Sequence, residues 1–231
     1  MHTTDEEIEC HYNHRTLIKL PLEEIKANRP QHLYCNNNYI TELPEDLPDS
    51  ITHLTCSNNH ITRLPDTLPS KLSHLNCGEN NIYYLPHNLP ITIEYINIEW
   101  NPLKALPNDF SKYVHLHTLI LSKTLVTELP DMPESICSVT FYSYDPIFKI
   151  INEQYFSISN SYSVYRLSNK EILQINEINS RNRIQTRSRL LEFEIMEHYA
   201  RRTMHPCMLT PLLENPHADV SEFMELYIDS L

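Results

Sequence analysis

Leu33, Leu54, Leu75 and Ile96 are spaced 21 residues apart, and this recurrence constrains the fold more than any other feature of the chain. A unit of that length cannot bury its own apolar residues, so it must stack on copies of itself. The copies share a detailed pattern. Cys35, Cys56, Cys77 and Ile98 come two positions later, followed by Asn38, Asn59, Asn80 and Asn101. Next are Ile40, Ile61, Ile82 and Leu103, then Leu43-Pro44, Leu64-Pro65, Leu85-Pro86 and Leu106-Pro107. Leu47-Pro48, Leu68-Pro69 and Leu89-Pro90 add a second pair to the first three units. A fifth unit runs through Leu116, Leu119, Leu121, Val126 and Leu129-Pro130, and a degraded sixth opens at Ile136, Val139 and Phe141.

The spacing has a direct physical reading. Leu54 and Cys56 point to one side of a short strand, leaving His53, Thr55 and Ser57 on the other. Proline disfavours helix in the residue before it, so each Leu-Pro pair predicts an extended or polyproline-like return path without convex helices. The asparagine column predicts a ladder whose amides satisfy backbone groups where the chain leaves the sheet. Thr124 and Tyr144 replace asparagine in the last two units, where the ladder should fail.

These residues resemble the leucine-rich-repeat consensus L-x-x-L-x-L-x-x-N-x-L, repeated in register over residues 30 to about 144. The short Leu-Pro-rich unit is similar to repeats of bacterial effectors of the IpaH and YopM kind. Leu47-Pro48-Asp49-Ser50-Ile51-Thr52-His53-Leu54 also resembles the FNIP-type repeats of giant DNA viruses and slime moulds. The resemblance implies a repeat solenoid with a curved parallel β-sheet and a concave face that binds protein. The expected organisation is a degenerate capping repeat over 1–29, the solenoid over 30–148, and an α-helical C-terminal region over 149–231. In the first segment, Cys10 and Asn13 keep the spacing of Cys35 and Asn38 and are assigned to those repeat positions.

Composition narrows the function. Apolar residues make up 41% and charged residues 21%, values of a folded soluble protein, and the net charge is -12. That balance argues against nucleic acid and anionic membrane as partners, since both need clustered Lys and Arg. The acidic start, Met1 to Glu7, lacks the apolar stretch of a signal peptide. No apolar run approaches membrane-spanning length. The expectation is a monomer inside a cell, cytoplasmic (in a host cytoplasm for an effector), with its six cysteines reduced. A single glycine, Gly78, against sixteen prolines excludes phosphate-cradling loops, dinucleotide fingerprints and the nucleophile elbow. No catalytic motif and no cofactor are therefore expected.

The candidate binding residues lie on the strands' open face. His32, His53, His74 and Tyr95 form one column; Tyr34, Thr55, Asn76 and Asn97 form the next. Neighbours in a column should lie about 4.8 Å apart. The first column reads as a recognition stripe rather than a metal site. Trp100, at the end of its strand, is either an interface anchor or packed on the next loop. Cys10, Cys35, Cys56 and Cys77 read as small core residues, because tetrahedral zinc sites usually draw on close Cys-x-x-Cys pairs.

Beyond Tyr144, Ser168-Asn169-Lys170-Glu171 reads as a capping box before Ile172, Leu173 and Ile175. Further helices are expected over 184–203 and after Asp219, so the region is either a cap or a small module. Ubiquitin-ligase effectors of the IpaH kind carry a Cys-x-Asp loop. Cys207 is followed instead by Met208-Leu209, which leaves a ligase only as the alternative to a protein-binding scaffold.

Overall fold

The computed structural model describes residues 7–142, 145–148, 164–181, 183–184 and 187. The chain divides into two compact units, Met1–Glu177 and Ile178–Leu231; the described residues of the second are helical.

The first unit is built on one sheet. Its strands are β1 (Glu9–His11), β2 (His32–Tyr34), β3 (His53–Thr55), β4 (His74–Asn76), β5 (Tyr95–Asn97), β6 (Thr118–Ile120), β7 (Ser138–Tyr142) and β8 (Val164–Leu167), ordered in space as in sequence. Neighbours from β1 to β7 pair in parallel, and the 21-residue repeat sets the register: His32 faces His53, which faces His74, which faces Tyr95. The last strand departs from the expected pattern. β8 runs antiparallel to β7, with Val139 opposite Leu167, so the unit ends in a strand that the repeat does not encode.

Leu33, Leu54, Leu75, Ile96 and Leu119 are fully buried, as are Cys35, Cys56, Cys77, Ile98 and Leu121. From β1 to β7 the chain returns between strands without helix, apart from α1 (Leu22–Asn28) after β1. The second Leu-Pro pair closes a turn in which the proline carbonyl accepts an N–H three residues on. Ile51 N–H donates to Pro48 O, Leu72 to Pro69 and Ile93 to Pro90, at 3.0–3.1 Å. Each turn delivers its donor residue into the core fully buried.

Where each strand ends, the backbone turns through a left-handed residue. His14, Asn37, Asn58, Glu79, Trp100 and Lys123 all have φ between 54° and 60°. Asparagine takes this conformation readily, whereas a side chain such as glutamate pays a steric cost. Asn58 Nδ2 already donates to Asn37 Oδ1 at 2.7 Å, and an amide at position 79 could extend that row. Glu79→Asn should therefore raise stability by about 0.5–1 kcal/mol. A thermal melt showing a lower midpoint than the parent would contradict this account of the corner.

β1 corrects one assignment. Cys10 pairs with Leu33, not with the Cys35 position, and Tyr12 N–H donates to Tyr34 O one step further along. The first turn is thus 23 residues long and Cys10 belongs to the leucine column; position 15, not Asn13, corresponds to the ladder asparagines. Asn13 lies two residues earlier, accepting from Asn36 N–H at 2.7 Å.

The other end of the first unit is closed by β8 and a helix that opens at Asn169. Ser168 N–H and Oγ–H donate to Glu171 Oε2 at 2.8 and 2.6 Å, and Glu171 N–H reaches back to Ser168 Oγ at 3.5 Å. This capping box starts the helix. Leu167, Ile172 and Ile175 join the continuous apolar core that includes Val139 and Phe141. The helices expected over 184–203 and after Asp219, together with Cys207, lie outside the described residues apart from Ile184 and Arg187.

Candidate functional site

The exposed sheet face carries both columns of candidate residues. His32, His53 and His74 form a continuous seam of imidazoles. Ring centroids are 4.3 Å apart between His32 and His53 and 4.2 Å between His53 and His74, and the second pair is nearly parallel at 12°. Tyr95 continues the seam, 5.9 Å from His74. The spacing is that of parallel strands, imposed on planar side chains with no other room to occupy.

Both ends and one flank of the seam are defined. Glu9 Oε1 lies 3.2 Å from His32 Nδ1, and Glu7 Oε2 lies 3.5 Å from His32 Nε2. Glu9 Oε2 also meets His11 Nε2 at 2.9 Å. These two histidines, through hydrogen bonds above all, hold the Glu9 carboxyl below its ordinary value. His11 stacks on Tyr34 at 4.8 Å and 3°. Along one side, Thr52 Oγ lies 2.9 Å from His53 Nδ1 and Ser73 Oγ lies 2.8 Å from His74 Nδ1. Burial, assisted by the neighbouring rings of His74 and His32, holds His53 below the usual histidine value.

The neighbouring polar column bonds mainly to the column beyond it, Asn36, Ser57 and Glu99. Asn36 Nδ2 donates to Thr55 Oγ1 at 3.0 Å, and Ser57 Oγ–H donates to Asn76 Oδ1 at 2.7 Å. Asn97 is buried, and its amide bonds Glu99 through both side chain and backbone. Thr55, Asn76 and Asn97 thus make a hydrogen-bonded bed beside the aromatic seam. Gly78 has a steric role here: a Cβ at this position would lie 3.2 Å from Glu99 Cγ.

Trp100 stands at the corner after β5, half exposed, with Lys123 Nζ 4.9 Å from its ring centre. The backbone at this position is left-handed, with φ 54°. Trp100 is therefore not a core residue, although it shares an edge with the cation of the next turn.

Behind the face lies the amide ladder. Asn59 Nδ2 donates to the carbonyls of Cys35 and Cys56 at 3.0 Å and Ser57 at 3.3 Å, while its Oδ1 accepts from Ile40 N–H at 3.0 Å. Asn80 bonds Cys56, Cys77 and Gly78 carbonyls and Ile61 N–H in the same way. Asn101 does so with Cys77, Ile98, Glu99 and Ile82. Asn38 serves the first turn, donating to Tyr12 O and accepting from Arg15 and Leu17 N–H. Each amide joins two consecutive turns. At Thr124 only a bond within its own turn remains, from Oγ–H to Leu121 O at 2.8 Å.

Sequence reasoning missed Asp145. Its buried carboxylate accepts from Lys123 N–H at 3.1 Å and from Tyr142 N–H at 2.6 Å, and so ties the last corner together. Burial pushes this carboxyl above its ordinary value despite those donors. The cysteine column behaves as core. Burial raises the Cys35 and Cys77 thiols well above the ordinary value and that of Cys56 to about 12, which disfavours the thiolate that metals need.

The chain matches no family model and no curated protein sequence. Among solved structures it is similar to YopM from Yersinia enterocolitica WA-314, with 29% identity and a TM-score of 0.45 over 54% of this chain and 25% of that one. YopM from Yersinia pestis, described as a leucine-rich effector protein, gives 26% identity and a TM-score of 0.45 over 57% of this chain and 41% of that one. This chain therefore spans less than half the length of either. What defines it is internal: a repeat register carried through parallel strands, a buried leucine column and an amide ladder joining turn to turn make this chain a leucine-rich-repeat solenoid.

Proposed function

We propose that this protein is an interaction scaffold that binds a protein partner on the concave side of its sheet. The observation that carries the reading is the half-exposed Trp100 at the corner after β5, the strand whose Tyr95 ends the aromatic seam. Tryptophan and tyrosine supply large contact area at low entropic cost, and interface anchors are drawn disproportionately from them. In this reading Trp100, Tyr34, Tyr95 and the rings of His32, His53 and His74 touch the partner. Thr55, Asn76 and Asn97 hold the bed on which those rings stand. No helix among the described residues is long and apolar enough to cross a membrane. The scaffold acts as a monomer in a reducing intracellular setting, where its buried thiols remain free.

The test uses affinity purification from the native cell with the full chain and matched variants. Trp100→Ala and His74→Ala should each weaken capture of a specific partner by roughly tenfold or more. Arg63→Ala, on the exposed return path, should not. Far-UV circular dichroism should be unchanged in all three. Binding that survives both face variants, or that depends equally on Arg63, would refute the proposal.

A further inference from the structure

The histidine seam stacks titratable rings where a merely adhesive surface would do as well with tyrosine, as position 95 demonstrates. Neutral imidazoles tolerate such close packing, tilted by 54° between His32 and His53 and nearly parallel between His53 and His74. A proton on one ring puts a positive charge 4.2–4.3 Å from the next ring centre, and a second proton places like charges in contact. The stack has little room to relax, because β2, β3 and β4 fix its spacing. We propose that the seam is a proton-operated switch on the binding face: its rings lie stacked at neutral pH and are forced apart on acidification, so that the face lets its partner go.

Every element around the seam bears on this. On the β1 side are Glu7, Glu9 and His11, and on β2 Tyr34, whose hydroxyl lies 3.2 Å from His32 Nδ1. Thr52 and Ser73 flank the middle rings, while Tyr95 and Glu94 lie toward β5. Glu7 and Glu9 can neutralise a proton at the His32 end. His53 has an imidazole on either side, and its hydrogen-bond partner is the Thr52 hydroxyl rather than a carboxylate. The middle of the seam is therefore where charge is least tolerated. The sign follows from its lowered folded value. Stability from a neutral His53 is fully present above the unfolded value of about 6.5 and is lost as pH falls from there through the lower folded value.

The consequence for a partner rests on the concave-face reading, but the switch can be tested without one. Ring C–H signals of His32, His53 and His74 in the full chain should be followed by NMR from about pH 8 to about pH 5. Expected are a His53 midpoint below about 6.5, coupled movement of all three rings, and a rise in that midpoint when His32→Tyr and His74→Tyr are combined. The melting temperature should fall between about pH 7.5 and 5.5 by about 2–4 °C more in the parent than in His53→Tyr, which keeps a stacked ring without the proton site. His53→Gln provides the same comparison without a ring. Independent titration near the ordinary value, or equal pH dependence of melting in parent and variants, would overturn the switch. Either result leaves the binding proposal standing, because that depends on Trp100 and partner capture.

Discussion

Replacing Asn59 with alanine should lower stability by about 2–3 kcal/mol and shift the melting midpoint down by about 4–12 °C. The side-chain amide shares its two hydrogens among three carbonyls and accepts one backbone N–H, all at 3.0–3.3 Å and all away from water. Alanine strands the Ile40 N–H, at a cost of about 1–3 kcal/mol, and weakens the Cys35, Cys56 and Ser57 carbonyls, which keep Asn38 Nδ2, Asn80 Nδ2 and Asn37 N–H as donors. Asn59→Asp is the sharper comparison because it preserves shape. A carboxylate would face the Cys35, Cys56 and Ser57 carbonyls with no hydrogen to offer, so it should be at least as damaging as alanine at neutral pH. The neighbouring Asn58, exposed and with its side-chain amide donating to Asn37 Oδ1, provides the control. Asn58→Ala should cost about 0.5–1 kcal/mol for the left-handed corner alone, well under the loss at Asn59. Equal melting of Asn59→Ala and the parent would mean that the ladder accompanies the fold without holding it.

The ladder was legible in the sequence because its demand is local and repeated: one amide, at one phase, in four consecutive turns. The seam was legible for the same reason, since a fixed repeat length turns sequence columns into spatial ones. The phase of the first turn was not. A shift of two residues keeps every side chain on its own face of a strand, so Cys10 fits either the leucine or the cysteine column by pattern alone. The decision falls to the length of the return path, which runs past α1 and the cation of Arg15 over the Tyr12 ring. The left-handed corner was hidden for a different reason. Its usual marker is glycine or asparagine, but here the later turns use glutamate, tryptophan and lysine. Asp145 was hidden because it acts after the repeat has lost its register, where no column predicts a role.

Ile172→Ala and Ile175→Ala should each cost the repeats about 2–5 kcal/mol. The reasoning starts from the open end of a solenoid. Each turn is covered by the next, so the final one must be covered by something outside the repeat. Here β8 satisfies the edge of β7 by antiparallel pairing, and the helix from Asn169 lays Ile172 and Ile175 into the apolar core at 0% and 1% exposure. Two amides fasten it to the loop before β7. Asn169 Nδ2 donates to the Glu134 and Ile136 carbonyls at 2.9 and 2.8 Å, and Asn176 both donates to Met132 O and accepts from Met132 N–H. Truncating these isoleucines leaves cavities against the last turns, and opening that end exposes the leucine column behind it. Trp100 is the only tryptophan and stands at the corner after β5, so its fluorescence reports unfolding of the repeats themselves. In a cap, both substitutions should lower the denaturant midpoint of that signal. An independent module would lose its own helix signal first and leave the Trp100 transition where it was, and that outcome would sever the C-terminal segment from the stability of the solenoid.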